Sequence, residues 1–336
     1  MKIKNTKEIK DYLSRIETNL NSNDQNDFLD GYVEPKDEKM AKKDLLIAGQ
    51  LECKDPNLSL YVSVDEFNKN PYVVNVVNKV LKNKDLAYEE ITFVKNVLFN
   101  LDSIIDDPSR ECRDYMRLRM LDKDLNTIIL KENGVEWMMA APSESVTNDP
   151  YAKKAHGKVV TFGLGIGYFI YQAILNDKVE EITVIEKSRE VISLFNKIEK
   201  YFPKRIPINI IQGDAFDYFN QDYLSDFDYI YVDIYQNNKD GLPIINKLLE
   251  QCLPPMDRCD FWIEASLVNP IRTLIFLIYK EIVTGKKATI SNEYQKYLSK
   301  VRSYFNGLDV FVEDVNTLKD HMYSPKVIRE ILHKQA

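Results

Sequence analysis

Apolar and polar positions alternate with a helical period over the first part of the chain. Residues 6–20 place apolar side chains three and four positions apart, which predicts an amphipathic helix with one buried face. A second stripe with this spacing predicts another helix over residues 86–105, and its members are Ala87, Ile91, Val94, Leu98, Leu101 and Ile105. We therefore expect residues 1–122 to form a helical N-terminal region.

The period changes to two near residue 125. Residues 127–130 and Val135–Met139 are short apolar segments, and the Asn-Gly pair between them favours the positive φ angles of a tight turn. This pattern predicts a small β-hairpin, followed by a polar connection over residues 142–150. The hairpin and the connection form a second unit, residues 123–150.

The chain then alternates short apolar segments with amphipathic ones from residue 151 to residue 285. The apolar segments lie at residues 159–162, 181–186, 208–211, 229–233 and 261–265. Apolar strands separated by helices are typical of parallel sheets that are covered on both faces. The prediction is an α/β fold with a Rossmann-like, doubly wound, mostly parallel sheet. Residues 286–336 are expected to form a mixed C-terminal tail, with a strand near residues 310–312.

Composition limits the class of protein. Hydrophobic residues make up 44% of the 336 residues and charged residues 29%, which is typical of a chain with a large core. The net charge of −7 argues against a duplex nucleic-acid partner. There is neither a secretory signal nor an apolar run that could span a membrane, so we expect a cytoplasmic protein without a membrane partner. The 4 cysteines are widely spaced and the histidines number 3, so we expect no metal site.

Glycine is scarce, with 11 residues, yet Gly163, Gly165 and Gly167 stand at alternate positions directly after an apolar segment. Such a turn lets the backbone approach a ligand and directs the NH groups of the next helix towards it. Tight packing of a strand against a helix would also explain these glycines. The dinucleotide pattern G-x-G-x-x-G needs a glycine where Tyr168 stands, which argues against a nicotinamide cofactor. No Gly-Lys-Ser/Thr sequence follows, which excludes a P-loop.

Acidic residues follow the next three apolar segments. Glu186 ends the second strand, where a carboxylate can accept both hydroxyl hydrogens of a ribose. Asp214 follows the third strand and can accept a hydrogen bond from an adenine amino group, while the NH of Ala215 can donate to a ring nitrogen. An Asx turn is the alternative explanation for Asp214. Asp233 ends the fourth strand, beside the crevice where parallel sheets bind ligands.

The segments VVTFGLGIG, ITVIEKS, IQGDAFDYF and FDYIYVDIY together resemble the strand-end motifs of class I S-adenosylmethionine-dependent methyltransferases. The resemblance covers roughly residues 155–265. It implies S-adenosylmethionine as the cofactor, held by the residues just described: Gly163, Gly165 and Gly167 under its methionine part, Glu186 on its ribose, and Asp214 with Ala215 at its adenine. The chain departs from the family at Thr161, where many members carry an acidic residue that recognises the amino group of the cofactor.

The resemblance implies methyl transfer to a small-molecule acceptor. Because a sulfonium donor already carries a good leaving group, the protein must mainly align the acceptor and exclude water. We expect Asp233 to orient the acceptor or to take its proton, with Tyr235 beside it. Trp137, Glu144 and Tyr168 are further candidates for contact with the acceptor. A hairpin core position for Trp137 and a surface position for Glu144 are the alternatives.

Two other functions remain open. Polyamine aminopropyltransferases of the spermidine synthase type share this sheet, precede it with a small strand domain, and use decarboxylated S-adenosylmethionine. They usually carry a D-S-x-D-P pattern where this chain has Asp233-Ile234-Tyr235-Gln236, which argues against polyamine synthesis. The other alternative is a protein that binds the cofactor without transfer activity, because binding groups can persist without chemistry. The sequence does not identify the oligomeric state.

Overall fold

A computed structural model describes residues 1–21, 31–47, 58–83, 88–103, 107–113, 116–132 and 134–334 of the chain. The described strands are β1 (Lys2–Ile3), β2 (Tyr61–Val62), β3 (Glu89–Phe93), β4 (Phe99–Asn100), β5 (Leu118–Leu121), β6 (Leu125–Glu132), β7 (Val135–Met139), β8 (Gly157–Phe162), β9 (Val179–Glu186), β10 (Ile208–Gln212), β11 (Tyr229–Val232), β12 (Cys259–Phe261) and β13 (Phe311–Val312).

The described helices are α1 (Lys7–Asn21), α2 (Glu38–Ile47), α3 (Val64–Phe67), α4 (Asn78–Val80), α5 (Pro142–Lys154), α6 (Tyr168–Leu175), α7 (Arg189–Ile198), α8 (Ala215–Tyr218), α9 (Gln221–Leu224), α10 (Asn238–Gln251), α11 (Glu264–Leu267), α12 (Asn269–Thr284), α13 (Gln295–Asn306), α14 (Val315–Tyr323) and α15 (Pro325–His333). A π-helical segment spans Val73–Val77. Short 3-10 turns span Pro35–Asp37, Pro108–Arg110, Glu199–Tyr201 and Asn292–Tyr294.

Strands β8 to β12 form one parallel sheet, in the order β10-β9-β8-β11-β12. Successive residues of β8 point to opposite faces. Val159 packs in a core with residues of α6 and α7, whereas Val160 packs in a second core with residues of α10 and α12. Helices thus cover both faces of the sheet, and the predicted α/β, Rossmann-like fold is confirmed. The strand order reverses between β8 and β11, and ligands bind at such a reversal in sheets of this kind.

The predicted hairpin is also confirmed. β6 and β7 pair in antiparallel fashion around a turn in which Gly134 has a φ of +77°. β3 pairs with the other edge of β6, so the hairpin is part of a three-stranded sheet. A second small sheet has the order β2-β5-β4.

The helix predicted over residues 86–105 is wrong, because the described part of this segment contains β3 and β4. Ile91 lies in β3, which pairs with β6, and Val94 directly after it is 55% exposed. The stripe therefore does not form one buried face, and pairing with the hairpin outweighs the helical spacing. Ala87 and Ile105, near the two ends of the stripe, lie outside the described residues.

The polar connection predicted over residues 142–150 is wrong as well, because α5 spans Pro142–Lys154. Pro142 occupies the first turn, where a helix can accept a residue without an NH. Asn148 is fully buried, and its side-chain oxygen accepts a hydrogen bond of 2.8 Å from the hydroxyl of Tyr231 in β11. Packing against α6 and buried hydrogen bonds to the sheet, rather than an apolar stripe, hold this helix in place.

The described part of residues 286–336 contributes α13, α14, α15 and β13. β13 pairs in parallel with β1, so among the described residues the central sheet keeps five strands. Lys300 of α13 is fully buried, and its ammonium group donates to Glu250 in α10 and to the carbonyl of Leu332 in α15. In the described part of the chain, no helix combines the length and the apolar character needed to cross a bilayer.

Candidate cofactor and acceptor site

A cavity of about 660 Å³ opens at the carboxyl ends of the parallel strands, and small-molecule sites have volumes in this range. Residues that follow all five strands of the sheet contribute to its walls, and β7 and α5 contribute from the N-terminal side. Taken in the order β8, β9, β10, β11, β12, β7 and α5, representative lining residues are Gly163, Glu186, Asp214, Asp233, Trp262, Met138 and Glu144.

The glycine turn after β8 is packed too closely for side chains. Gly163 has a φ of +98°, and a Cβ atom there would lie 2.0 Å from the carbonyl oxygen of Asp233. Gly165 has a φ of +50°, and a Cβ atom there would lie 2.5 Å from the Sδ atom of Met138. Glycine is therefore required at position 163, where the neighbour is the backbone at the end of β11, and the positive φ favours it at position 165, where the neighbour is a flexible side chain of the hairpin.

Gly167 has a different role from the one expected. It does not line the cavity, although Gly163 and Gly165 do. Its φ of +75° places it at the start of α6, and a Cβ atom there would meet Phe195 at 2.8 Å and Phe202 at 2.9 Å. Packing of the turn against these two rings explains this glycine without a contact to a cofactor.

Backbone NH groups fix the carboxylate of Glu186 at the end of β9. One oxygen accepts a hydrogen bond of 3.0 Å from the NH of Leu164 in the glycine turn, and the other accepts one of 2.7 Å from the NH of Ser188. The carboxylate thus lies beside the glycine turn and on the wall of the cavity. Because each carboxylate oxygen has two acceptor positions, Glu186 can also accept hydrogen bonds from ribose hydroxyls.

Asp214 caps α8, and its carboxylate accepts a hydrogen bond of 3.1 Å from the NH of Phe216. The ammonium group of Lys187 lies 2.9 Å from its other oxygen. The hydrogen bond from Lys187 lowers the pKa of Asp214, so this carboxyl group is ionised at neutral pH. The predicted Asx turn is therefore present, and Asp214 and Ala215 still line the cavity where adenine contacts are expected.

The NH of Asp233 donates to the carbonyl of Phe162 over 2.9 Å, which extends the pairing of β11 with β8. Its side chain lines the cavity, and among the described residues no donor lies within hydrogen-bond distance of its carboxylate. Burial raises the pKa of Asp233 to about 7. Asp233 can therefore exchange a proton near neutral pH, as a general base must.

Glu144 faces the same cavity from α5. Its carboxylate accepts a hydrogen bond of 3.4 Å from the side-chain amide of Asn148, one helical turn later. Burial, together with the nearby charge of Asp233, raises the pKa of Glu144 to about 8. The two carboxyl groups are thus close enough for the charge of Asp233 to disfavour ionisation of Glu144.

The aromatic side chains around this pair use their polar atoms within the protein. The hydroxyl of Tyr235 donates to the carbonyl of Trp262 over 2.6 Å, and the indole NH of Trp262 donates to Thr147 over 3.0 Å. The hydroxyl of Tyr168 donates to Asp149 and accepts from Asn70, both over 2.8 Å. Tyr168 and Tyr235 consequently line the cavity with their rings, while their hydroxyl groups hold the structure together.

Two further residues that the sequence singles out lie in β7 and in β8. Trp137 lines the cavity from β7 and is 40% exposed, so it is not a hairpin core residue. Thr161 also lines the cavity, and its hydroxyl donates to the carbonyl of Gly163 over 3.3 Å. A threonine here supports the glycine turn but does not supply the carboxylate that many methyltransferases have.

Sequence reasoning missed three residues that shape the site, namely Asn148, Tyr231 and Trp262. Trp262 follows β12 directly, whereas the sequence predicts a strand over residues 261–265, so the misplaced strand hides its position at a strand end. Tyr231 is inside β11 and Asn148 inside α5, and no sequence pattern marks either residue. Of the predicted site residues, all except Gly167 line this one cavity.

Comparisons with known proteins identify no family. No protein-family model matches the chain, and no curated protein matches its sequence. Among solved structures, a spermidine synthase from Thermotoga maritima has 16% identity and a TM-score of 0.30, over 44% of this chain and 55% of that chain. The shikimate dehydrogenase of Mycobacterium tuberculosis has 11% identity and a TM-score of 0.24, over 58% of this chain and 64% of that chain.

A third solved structure is PKMT2 from Rickettsia typhi in complex with AdoHcy, with 13% identity and a TM-score of 0.21, over 56% of this chain and 40% of that chain. The chain thus spans less than two thirds of the length of each of these proteins. Similarity at this level carries no argument about the reaction. The assignment of function therefore depends on the residues of the cavity itself.

Proposed function

We propose that the chain binds S-adenosylmethionine and transfers its methyl group to a small-molecule acceptor. The observation that carries the proposal is the arrangement of two carboxylates in one cavity. Glu186 is fixed against the glycine turn by the NH of Leu164, and Asp233 lies at the next strand on the other side of that turn. One carboxylate fits the ribose of the cofactor, and the other faces the position of the transferred group.

The residues present fit such a cofactor. Glu186 ends β9, and Asp214 and Ala215 follow β10, so they line the half of the cavity where an adenosine would lie. The carboxylate of Asp233 has no donor among the described residues, and a sulfonium ion would supply the missing positive charge. When bound, S-adenosylmethionine supplies a methyl carbon whose bond to sulfur breaks with the electron pair remaining on sulfur.

The residues of the chain have three tasks in this reaction. The glycine turn and Glu186 hold the nucleoside, and the rings of Tyr231 and Tyr235 exclude water from the acceptor side. Asp233 orients the acceptor and receives its proton on the carboxylate. Because the donor is already activated, alignment of the acceptor contributes more to the rate than any further catalytic group.

Aminopropyl transfer is the second candidate function, and Glu144 is the observation that favours it. A second carboxyl group beside Asp233 offers what the missing D-S-x-D-P pattern would otherwise provide, although it comes from α5. A decarboxylated donor would also suit a cavity in which the cationic lining residues, Lys187 and Arg189, both follow β9.

Calorimetric titration tests the proposal and separates the two candidates. The ligands are S-adenosylmethionine, its decarboxylated form, S-adenosylhomocysteine and, as a negative control, a nicotinamide dinucleotide. We expect S-adenosylmethionine and S-adenosylhomocysteine to bind and the dinucleotide not to bind. Tighter binding of the decarboxylated form would favour aminopropyl transfer. Binding of none of the three adenosyl ligands would contradict both candidate functions.

A further inference from the structure

One half of the cavity combines carboxyl groups with aromatic side chains and, in the described part of the chain, has no cationic lining residue. We define this acceptor half by five lining residues, which are Glu144, Tyr231, Asp233, Tyr235 and Trp262. Its carboxyl groups come from α5 and from the end of β11, whereas the cationic lining residues follow β9. β8 lies between β9 and β11, so about 10 Å of sheet separates the end of β9 from the end of β11.

The hydrogen-bond donors in the walls of the acceptor half are already used by the protein. The hydroxyl of Tyr231 donates to Asn148, that of Tyr235 to the carbonyl of Trp262, and the indole NH of Trp262 to Thr147. A ligand that needs donors, such as a carboxylate or a phenolate, would find none among these groups. A ligand that carries several N–H bonds would satisfy both carboxylates.

The carboxylate of Glu144 is held in position from behind. Asn148 donates to it through the side-chain nitrogen and accepts from Tyr231 through the side-chain oxygen. Because Asn148 is fully buried, this link connects α5 to the sheet without access of bulk water. Asn148 therefore holds Glu144 at the wall of the cavity that Asp233 also lines.

When no cation is present, no positive charge of the described residues balances the carboxylates of Glu144 and Asp233. Burial raises the pKa of Asp233 to about 7, and burial together with the charge of Asp233 raises the pKa of Glu144 to about 8. Two positive charges would allow both groups to ionise. A sulfonium donor brings one positive charge, and the acceptor can bring the second.

We propose that the acceptor is a primary or secondary amine, which binds as an ammonium ion between the carboxylates of Glu144 and Asp233. This inference rests on the proposed function and names its substrate class. The N–H bonds of the ammonium ion satisfy the two carboxylates, and the surrounding aromatic rings add cation–π attraction. Alcohols lack the charge, and carboxylic acids carry the opposite one.

The bound ammonium ion must lose one proton before its nitrogen can act as a nucleophile. That proton moves to Asp233, so an N–H bond breaks, an O–H bond forms, and the electron pair stays on nitrogen. The nitrogen then forms its bond to the transferred carbon, while sulfur keeps the electron pair of its broken bond. Two carboxylates and two cations at the start become one carboxylate, one carboxylic acid and one alkylated ammonium ion, so the total charge is unchanged.

Intrinsic fluorescence can test this inference because both tryptophans of the chain, Trp137 and Trp262, line the cavity. The protein is saturated with S-adenosylhomocysteine and titrated with 1,4-diaminobutane and benzylamine. Their neutral analogues, 1,4-butanediol and benzyl alcohol, serve as matched ligands. We expect at least one amine to bind about tenfold or more tightly than its alcohol analogue at neutral pH.

The matched variants are Glu144→Gln and Glu180→Gln. Glu180 is exposed in β9, so its substitution makes the same chemical change away from the cavity. We expect Glu144→Gln to weaken amine binding by about tenfold or more, and Glu180→Gln to leave it unchanged. Both variants should bind S-adenosylhomocysteine as the wild-type protein does.

Three outcomes would overturn the amine site: alcohols that bind as tightly as amines, no binding of either amine, or equal amine binding by Glu144→Gln and Glu180→Gln. The comparison of amine with alcohol uses the wild-type protein, so it stands even if a variant fails to fold. If S-adenosylhomocysteine does not bind, the proposed function fails, and the same titrations on the ligand-free protein then test the amine site separately.

Discussion

At the scale of single residues, the site depends on how closely the backbone of the glycine turn approaches Asp233. The NH of Asp233 donates to Phe162, and its carbonyl lies where a side chain of Gly163 would be. The backbone on both sides of the carboxylate is therefore fixed. These two backbone contacts prevent the main chain of Asp233 from moving. The carboxylate therefore faces the cavity even though no hydrogen-bond donor of the described residues holds it there.

We expect Gly163→Ala to lower the free energy of unfolding by about 2–4 kcal/mol, from a clash with a carbonyl oxygen and a strained positive φ. Gly134→Ala is the matched control, because Gly134 has a φ of +77° and nothing lies within 4 Å of the position that its Cβ atom would take. It should lose only about 1–2 kcal/mol. Denaturant unfolding of both variants measures the difference. Equal losses would show that the turn does not pack tightly against Asp233.

Asp233 also affects how stability depends on pH. Its pKa is raised to about 7, so the folded protein holds this proton more tightly than the unfolded chain does. The free energy of unfolding of the ligand-free protein should therefore fall as the pH rises towards 7. Glu144 from α5 faces the same group and contributes in the same direction, and Tyr231 and Tyr235 flank Asp233 on the sheet.

We expect Asp233→Asn to be more stable than the wild-type protein, by an amount that grows by roughly 1–3 kcal/mol between about pH 5 and about pH 8. The amide cannot ionise, so the cost of a buried charge disappears. Urea unfolding at both pH values measures this, with Asp222→Asn as a control at an exposed aspartate. A pH dependence identical to that of the wild-type protein would contradict the raised pKa of Asp233.

At the scale of elements, the N-terminal region supports the cofactor side of the site. Tyr72 is fully buried, and its hydroxyl donates to the carbonyl of Ile166 in the glycine turn. Asn70 accepts a hydrogen bond of 3.1 Å from Gln172 and donates to Tyr168, so the same segment also holds α6. Tyr72 and Ile166 are 94 residues apart in the sequence. The glycine turn is thus positioned by a distant segment of the chain.

We expect Tyr72→Phe to lower the free energy of unfolding by about 1–3 kcal/mol, because the carbonyl of Ile166 is left without this buried partner. The same change should weaken binding of S-adenosylhomocysteine, which a global loss of stability alone would not do while the protein stays folded. Tyr12→Phe is the control, since the hydroxyl of Tyr12 is buried without a partner among the described residues. That variant should keep or gain stability and keep its affinity.

The elements also differ in how far the sequence predicts them. β8, β9 and β11 each contain a short, mostly apolar run because both faces of the sheet are covered, and Glu186 and Asp233 stand out at the ends of β9 and β11. α5 has no apolar stripe from which it could be predicted. Buried hydrogen bonds such as that from Tyr231 to Asn148 hold it instead. β3 has a helical spacing that only its partner strand β6 overrides. Contacts between segments that are distant in sequence determine the conformation of both α5 and β3. Such contacts cannot be inferred from a single sequence.

At the scale of the whole molecule, the cavity is assembled from both parts of the chain. The sheet supplies the strand ends, while Met138 and Glu144 come from the hairpin and from α5. The division into a helical region, a hairpin unit, a sheet domain at residues 151–285 and a tail remains a prediction. A fragment limited to residues 151–285 would lack the walls that β7 and α5 provide.

The central claim is that this cavity binds a sulfonium nucleoside through Glu186, and a fluorescence titration with S-adenosylmethionine tests it most directly. Both tryptophans line the cavity, so their emission reports events at the site. We predict a saturable change in the wild-type protein and an affinity lower by about tenfold or more in Glu186→Gln. No saturable change in the wild-type protein, or equal affinity in both proteins, would contradict it.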